Sequence, residues 1–422
     1  MTSLYRINDL AKPQLPFPLW ALNRTLTPFT GWVRLDEDDL LSTAMKKTGL
    51  ADFGDNQFRE PFRVLVGSLE HEANLSPLGR VFTRQMLLQL LITRLLVQDL
   101  LIRHPEILSL PVQSPIVITG LPRTGTTHLH NLLSCNTDLR SLPYWESFQP
   151  VLPLKQQPAP GRPDPRIQRS QQSLRFLYYI VPHLSLMHEM SYNLPHEEIQ
   201  LLAVDFSTML FEATYFIPSY RDWYRANDQT PSYRYLRKLL QVLQWLRGGT
   251  RWVLKTPQHL EHLGPLLQVF PDVKIVQTHR DPIAVIASEC TMLAYLARLY
   301  NEHIDLLTVG QYWSSRIEDL LKASIRDRPL VPQEQILDVH FHDFVSDNMA
   351  VVKQIHKFAG LQMSEDTQCA IESFIAKNPR GRLGRIEYHL EEFGLDPHKL
   401  RRGFRSYLEH FDVPDERIQQ AV

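Results

Sequence analysis

The sequence predicts an α/β protein, a three-layer sandwich with a central parallel sheet. An N-terminal helical cap region is expected over residues 1–110, and a main α/β domain over 111–422 with a helical insertion at about 150–250. Three observations carry this. From Ile116 onward, short β-branched runs alternate with segments of helical periodicity, the pattern of parallel strands joined by helical crossovers. The first of these runs ends in a glycine-bounded loop that passes directly into a helix. The 422 residues, 43% hydrophobic and 22% charged, suffice for a large core but are long for one compact unit.

Along the chain, the first 110 residues read as mostly helical, with a packing helix from about Pro77 to His104. Its apolar run, Met86 to Ile102, is broken by Gln89, Arg94, Gln98 and Asp99, too short and too polar for a bilayer, so no integral membrane segment is expected. Ile116, Val117 and Ile118 form a buried strand, and Leu129, Leu132 and Leu133 give the helix that opens at Thr126 one apolar face. Pro150 to Pro165 holds six prolines and reads as a surface loop, either a lid or a connector. Residues 166–247 are helix-rich and aromatic, ending in a helix from about Ser232 to Arg247 that Gly248-Gly249 stops. A strand over Arg251–Lys255 leads through Thr256-Pro257 into a helix near His259. A strand around Ile275 precedes a helix with Asp281 as N-cap and Pro282 at its first position. The last strand is expected at Gln335–Phe341, with a helix from about Ser346 to Gly360 behind it.

Composition excludes several classes. A formal net charge of −1 argues against a nucleic-acid partner. Three scattered cysteines form no disulfide framework, and the N-terminus shows no secretory signal, so a reducing, cytoplasmic setting is expected. The 17 histidines include no HExxH and no carboxylate-flanked triad of familiar spacing, so no metal site is expected. No G-x-S-x-G elbow marks a serine hydrolase.

The most informative stretch is Pro115–Ser134, PIVITGLPRTGTTHLHNLLS. Strand, glycine loop and helix start together make an anion cradle of converging N–H groups at the positive end of a helix dipole. The loop is P-loop-like but lacks the lysine of GxxxxGK[ST]; Thr126 stands there, and the loop's one cation is Arg123. A basic residue, a small residue, Gly125 and two threonines resemble the 5′-phosphosulfate loop of bacterial-type sulfotransferases, which use 3′-phosphoadenosine 5′-phosphosulfate (PAPS). A second stretch, Phe270–Pro282, ends a strand in Arg280 and is followed by Ser288 eight residues on, similar to that family's 3′-phosphate site. A third, Gly381–Leu395 with Arg382 and Arg385, resembles its C-terminal basic loop, which closes over the nucleotide.

The resemblance implies transfer of a sulfuryl group from PAPS, with no metal, to a hydroxyl of a small acceptor. The aromatic insertion would supply acceptor specificity and hints at an apolar acceptor. It places Arg123, Thr124, Gly125, Thr126 and Thr127 on the 5′-phosphosulfate, Arg280 and Ser288 on the 3′-phosphate, and Arg382 and Arg385 in the closing loop. Lys255 would contact the bridging region. For the general base, His259 and Glu146 are rivals. His196, Glu197 and Glu198 resemble an acidic segment of the same family but read otherwise as a solvated helix start. Two other functions remain open: a P-loop-type nucleotide kinase or phosphotransferase, and a non-catalytic nucleotide-binding protein. A homo-oligomer is neither required nor excluded.

Overall fold

The computed structural model describes residues 3–159 and 161–416; residue 160, in the proline-rich loop, lies outside the described residues. Among them, six strands form two sheets: β1 (Leu4–Tyr5), β2 (Ile116–Gly120), β3 (Val253–Lys255), β4 (Lys274–His279), β5 (Ile336–His340) and β6 (Arg385–Ile386). The central sheet runs β3-β2-β4-β5, and every neighbouring pair is parallel. Five helices position the site: α1 (Pro77–Arg103), α2 (Thr126–Leu133), α3 (Thr230–Arg247), α4 (Pro282–Ala297) and α5 (Leu306–Asp327).

Strand alternation sorts the side chains of β2 between two layers. Ile116 and Ile118 join Leu129, Leu132 and Leu133 of α2 in one core. Val117 joins Leu254, Ile275 and the leucines of α3 in the other. A third core unites Phe58, Phe62 and Leu91 of the N-terminal region with Phe206 and Phe211 of the insertion and Ile286 of α4. The first hundred residues thus buttress the helices that wall the site.

α1 is longer than its apolar run suggests and, by length and composition, could cross a membrane. Its packing argues otherwise. Arg94, 1% exposed, pairs with Asp205 at 2.8 Å and lies 4.1 and 4.3 Å from the rings of Phe58 and Tyr235. A guanidinium buried this way needs its protein partners. Asp281 caps α4 as expected, accepting from the Ile283 N–H at 3.0 Å. The helix expected from about Ser346 to Gly360 is Asn348–Phe358, capped by Asp347, which accepts from the Ala350 N–H; a further short helix, Phe341–Ser346, follows directly on β5.

Candidate active site

The glycine loop is built for close approach. Gly120 leaves β2 with φ +155°, and a Cβ there would lie 2.0 Å from Thr278 Oγ1 on β4. Arg123 takes φ +65° and Gly125 φ +85° as N-cap of α2, so the chain turns sharply into the helix. The first turn of a helix leaves backbone N–H groups without intrahelical partners, at the positive end of its dipole. Thr124 turns inward, its hydroxyl 2.6 Å from the Leu121 carbonyl and 2.7 Å from Thr278 Oγ1, and it fastens the loop to β4.

Above the C-terminal ends of β2, β3 and β4 opens a cavity of about 740 Å³. Arg123, Thr126, Thr127, Lys255, Arg280 and Arg380 line one end, while Met209, Leu210, Met292, Leu293 and Leu296 line the other. Arg123 donates from Nε to Ser288 Oγ at 2.9 Å and from Nη1 to the Met187 carbonyl. Arg280 donates to the Arg123 carbonyl at 2.7 Å and stacks 3.9 Å from the Phe341 ring. Its remaining face donates to the Glu416 carboxylate at 2.8 and 2.9 Å. Arg380 approaches the same Phe341 ring at 5.6 Å. Burial, then the charges of Arg280 and Arg385, hold the Arg380 guanidinium below its usual pKa. Such a cluster is relieved by an anion.

Lys255, 3% exposed at the end of β3, pairs with Glu197 and donates to Thr127 Oγ1 at 3.3 Å. Burial pushes the Glu197 carboxyl up, but the Lys255 charge and hydrogen bond, with help from His188 and His196, leave it below the usual carboxylate range. Burial pushes His188 down to about 4 and His196 to about 3, so both cavity imidazoles are neutral at physiological pH. Behind them, Glu198 accepts from the Lys255 N–H at 2.7 Å and contacts His259 Nε2 at 2.6 Å; His259 Nδ1 meets the Tyr233 hydroxyl at 2.7 Å.

Six of the twelve predicted site residues line the cavity: Arg123, Gly125, Thr126, Thr127, Lys255 and Arg280. His259, expected as one rival for the base, is fully buried, with Nδ1 against Tyr233 and Nε2 against Glu198, and does not line the cavity. Glu146 is also fully buried, gripped by Arg140 at 2.9 and 3.0 Å and by Arg247 at 3.4 Å, away from the cavity. Arg382 pairs with Glu189 beside a smaller neighbouring cavity, and Arg385 sits exposed in β6, paired with Leu4 of β1. Arg380 lines the main cavity in their stead. Ser288 reaches the site through Arg123 and does not line the cavity. The described residues of the proline-rich loop do not line the cavity either. Glu198, fully buried, corrects the reading of His196–Glu198 as a solvated helix start. The signal for that cluster lay in three adjacent titratable residues, but burial alone distinguishes it from a surface run.

Comparisons with known proteins agree with this fold. The chain is 24% identical over 265 residues to the omega-hydroxy-beta-dihydromenaquinone-9 sulfotransferase Stf3 of Mycobacterium tuberculosis and of Mycobacterium bovis, a match covering 58% of this chain and 63% of those relatives. The structure superposes on sulfotransferase STF1 from M. tuberculosis with a TM-score of 0.77 at 29% identity, covering 88% of this chain and 98% of that one. For sulfotransferase STF9 from Mycobacterium avium the TM-score is 0.80 at 27% identity, with 90% and 98% covered. A model of the Sulfotransferase family matches residues 115–365, a span that runs from the first residue of the anion cradle past the whole central sheet. With that match over more than half its length, the chain belongs to the sulfotransferase family.

Proposed function

We propose that this protein transfers the sulfuryl group of PAPS to a hydroxyl of an apolar acceptor, releasing adenosine 3′,5′-bisphosphate. One observation carries the reading: Arg280 donates to the carbonyl of Arg123 at 2.7 Å, so the two cations of the separate anion motifs meet at one cavity. A nucleotide bearing anions at both ends can then be held by both motifs at once. The 5′-phosphosulfate lies on the loop from Gly120 to Thr127, against Arg123 and the first turn of α2. Arg280, with Arg380 nearby, takes the 3′-phosphate, and Ser288 contributes by holding Arg123. The apolar far end receives the body of the acceptor.

The reaction needs in-line attack, charge stabilisation and a base. The acceptor oxygen attacks sulfur; the bond from sulfur to the bridging oxygen breaks, and its electron pair stays on the 5′-phosphate. Lys255, beside Thr127, stabilises that developing charge. Glu197 takes the acceptor proton. In the free protein Lys255 keeps Glu197 ionised; as Lys255 turns to the bridging oxygen, the carboxylate loses that neighbour and gains proton affinity. Glu198 and His259 keep the Lys255 backbone fixed during the exchange.

Calorimetry without metal tests the donor assignment. Adenosine 3′,5′-bisphosphate should bind more tightly than ATP, and Arg280→Ala should weaken it by at least about tenfold, since hydrogen bonds to charged groups contribute roughly 1.5–3 kcal/mol. A preference for Mg-ATP ends the proposal. Glu197→Gln should keep bisphosphate affinity while turnover falls by about 10²–10⁴; unchanged turnover excludes Glu197 as the base.

A further inference from the structure

We propose that Glu289 is a specificity-determining residue that hydrogen-bonds a second oxygen of the acceptor, close to the hydroxyl that is sulfated. The acceptor would therefore carry a two-oxygen polar head on an apolar body. The inference rests on the sulfuryl-transfer reading and adds to it what the acceptor's head must look like.

Glu289 is 4% exposed, lines the cavity, and its Oε2 is buried without a hydrogen-bond partner. The other buried carboxylates near the site are all committed: Glu146 to Arg140, Glu198 to His259, and Glu212 to Arg316 and Tyr312. An unmade hydrogen bond at a buried carboxyl is destabilising. At a cavity wall that cost is relieved when a ligand supplies the partner.

Position says which part of the ligand. Ser288, the preceding residue, accepts from Arg123, and the charges of Arg123 and Glu197 both act on the Glu289 carboxyl. Glu289 therefore belongs to the charged end. Met292, Leu293 and Leu296 follow at spacings of three, four and seven, on the same stripe of α4, and line the same cavity. That stripe gives roughly 10 Å of apolar wall beyond the carboxyl. An acceptor laid along α4 sets its head between Glu197 and Glu289. Glu197 takes the reacting hydroxyl, which leaves Glu289 for another oxygen. Burial, opposed by Arg123 and reinforced by Glu197, pushes the Glu289 carboxyl up to about 7, so near neutrality it can donate as well as accept.

The probes are decane-1,2-diol and decan-1-ol, titrated calorimetrically into the protein saturated with adenosine 3′,5′-bisphosphate. The wild type should bind the diol at least about tenfold more tightly. Glu289→Leu should bring the ratio near one by strengthening the mono-ol and weakening the diol. Glu289→Gln, which keeps a donor and an acceptor, should restore the preference. A ratio unchanged by Glu289→Leu overturns the proposal, as does failure of the diol to bind the wild type. If the bisphosphate itself does not bind, the donor reading fails, and the same ratio is read on the nucleotide-free protein.

Discussion

Glu197 and Glu289 face one cavity in opposing environments: at Glu197 the Lys255 charge outweighs burial and holds the carboxyl below its usual range, while burial pushes Glu289 up to about 7. Environments that push two carboxyls apart divide the roles of base and hydrogen-bond donor. The shift at Glu289 also has a consequence for stability. Its pKa in the folded protein, about 7, exceeds the ordinary 4.5, so the folded state keeps a proton that the unfolded chain has released. That contribution is full below pH 4.5 and is lost as the pH rises through 7, about 3 kcal/mol in all. Glu289→Gln does not titrate. Urea denaturation should therefore show the variant gaining on the wild type between pH 4.5 and pH 8, and parallel pH curves would refute the buried neutral carboxyl. At residue 289 the sequence shows a lone charge in an otherwise apolar helix, which points to burial, but not that the carboxyl lines a cavity without a partner. Arg123 and Arg280 were legible since fixed spacing ties each to a strand end and a helix start. For His259 the sequence shows only a place just after a strand end; its contacts with Glu198 and Tyr233 come from distant segments and are visible only in the fold.

Helices with long apolar stripes, such as α1 and α3, were plain in the sequence, because periodicity extends over many residues. Pairings between distant short segments were not. β1 and β6 are two residues each, joined across nearly the whole chain, and carry no local pattern. The docking of α1 shows what such long-range contacts require. Ser76, its N-cap, donates its N–H to the Tyr300 carbonyl at 2.8 Å, and Gly79 packs so closely that a Cβ would fall 2.2 Å from the same oxygen. Because that neighbour is backbone, it cannot swing aside. Gly79→Ala should cost about 1–3 kcal/mol in thermal or urea unfolding. Gly67, inside the helix Arg59–His71 with nothing within 4 Å of a new Cβ, is the control. There alanine should stabilise by roughly 0.5–1 kcal/mol, the usual helix-interior difference. Equal responses at the two positions would mean that α1 is not held against Tyr300 in this register.

At the scale of the whole molecule, described segments near each terminus pack against residues around the basic cluster. The N-terminal β1 pairs with β6, just beyond Arg380, while the C-terminal segment lays Glu416 on Arg280 and its backbone N–H on Asp281 at 2.9 Å. Arg401 reinforces that closure by donating to Asp281 Oδ2 at 2.8 Å. In the free protein, then, a carboxylate holds the guanidinium assigned to the 3′-phosphate, with both side chains only 16% exposed. Phosphate and carboxylate cannot both take the same Nε–Nη2 edge, so nucleotide binding must displace Glu416, and the lost contact is subtracted from its affinity. Glu416→Gln removes the charge yet leaves the backbone hydrogen bond to Asp281. It should tighten adenosine 3′,5′-bisphosphate binding by roughly tenfold, equivalent to about 1.4 kcal/mol. Combined with Arg280→Ala the gain should vanish, because the two side chains act on each other. Calorimetry on the four proteins closes the cycle. Equal affinities for wild type and Glu416→Gln would mean the nucleotide engages Arg280 without expelling the carboxylate; a gain that persists without Arg280 would place its origin elsewhere in the basic cluster.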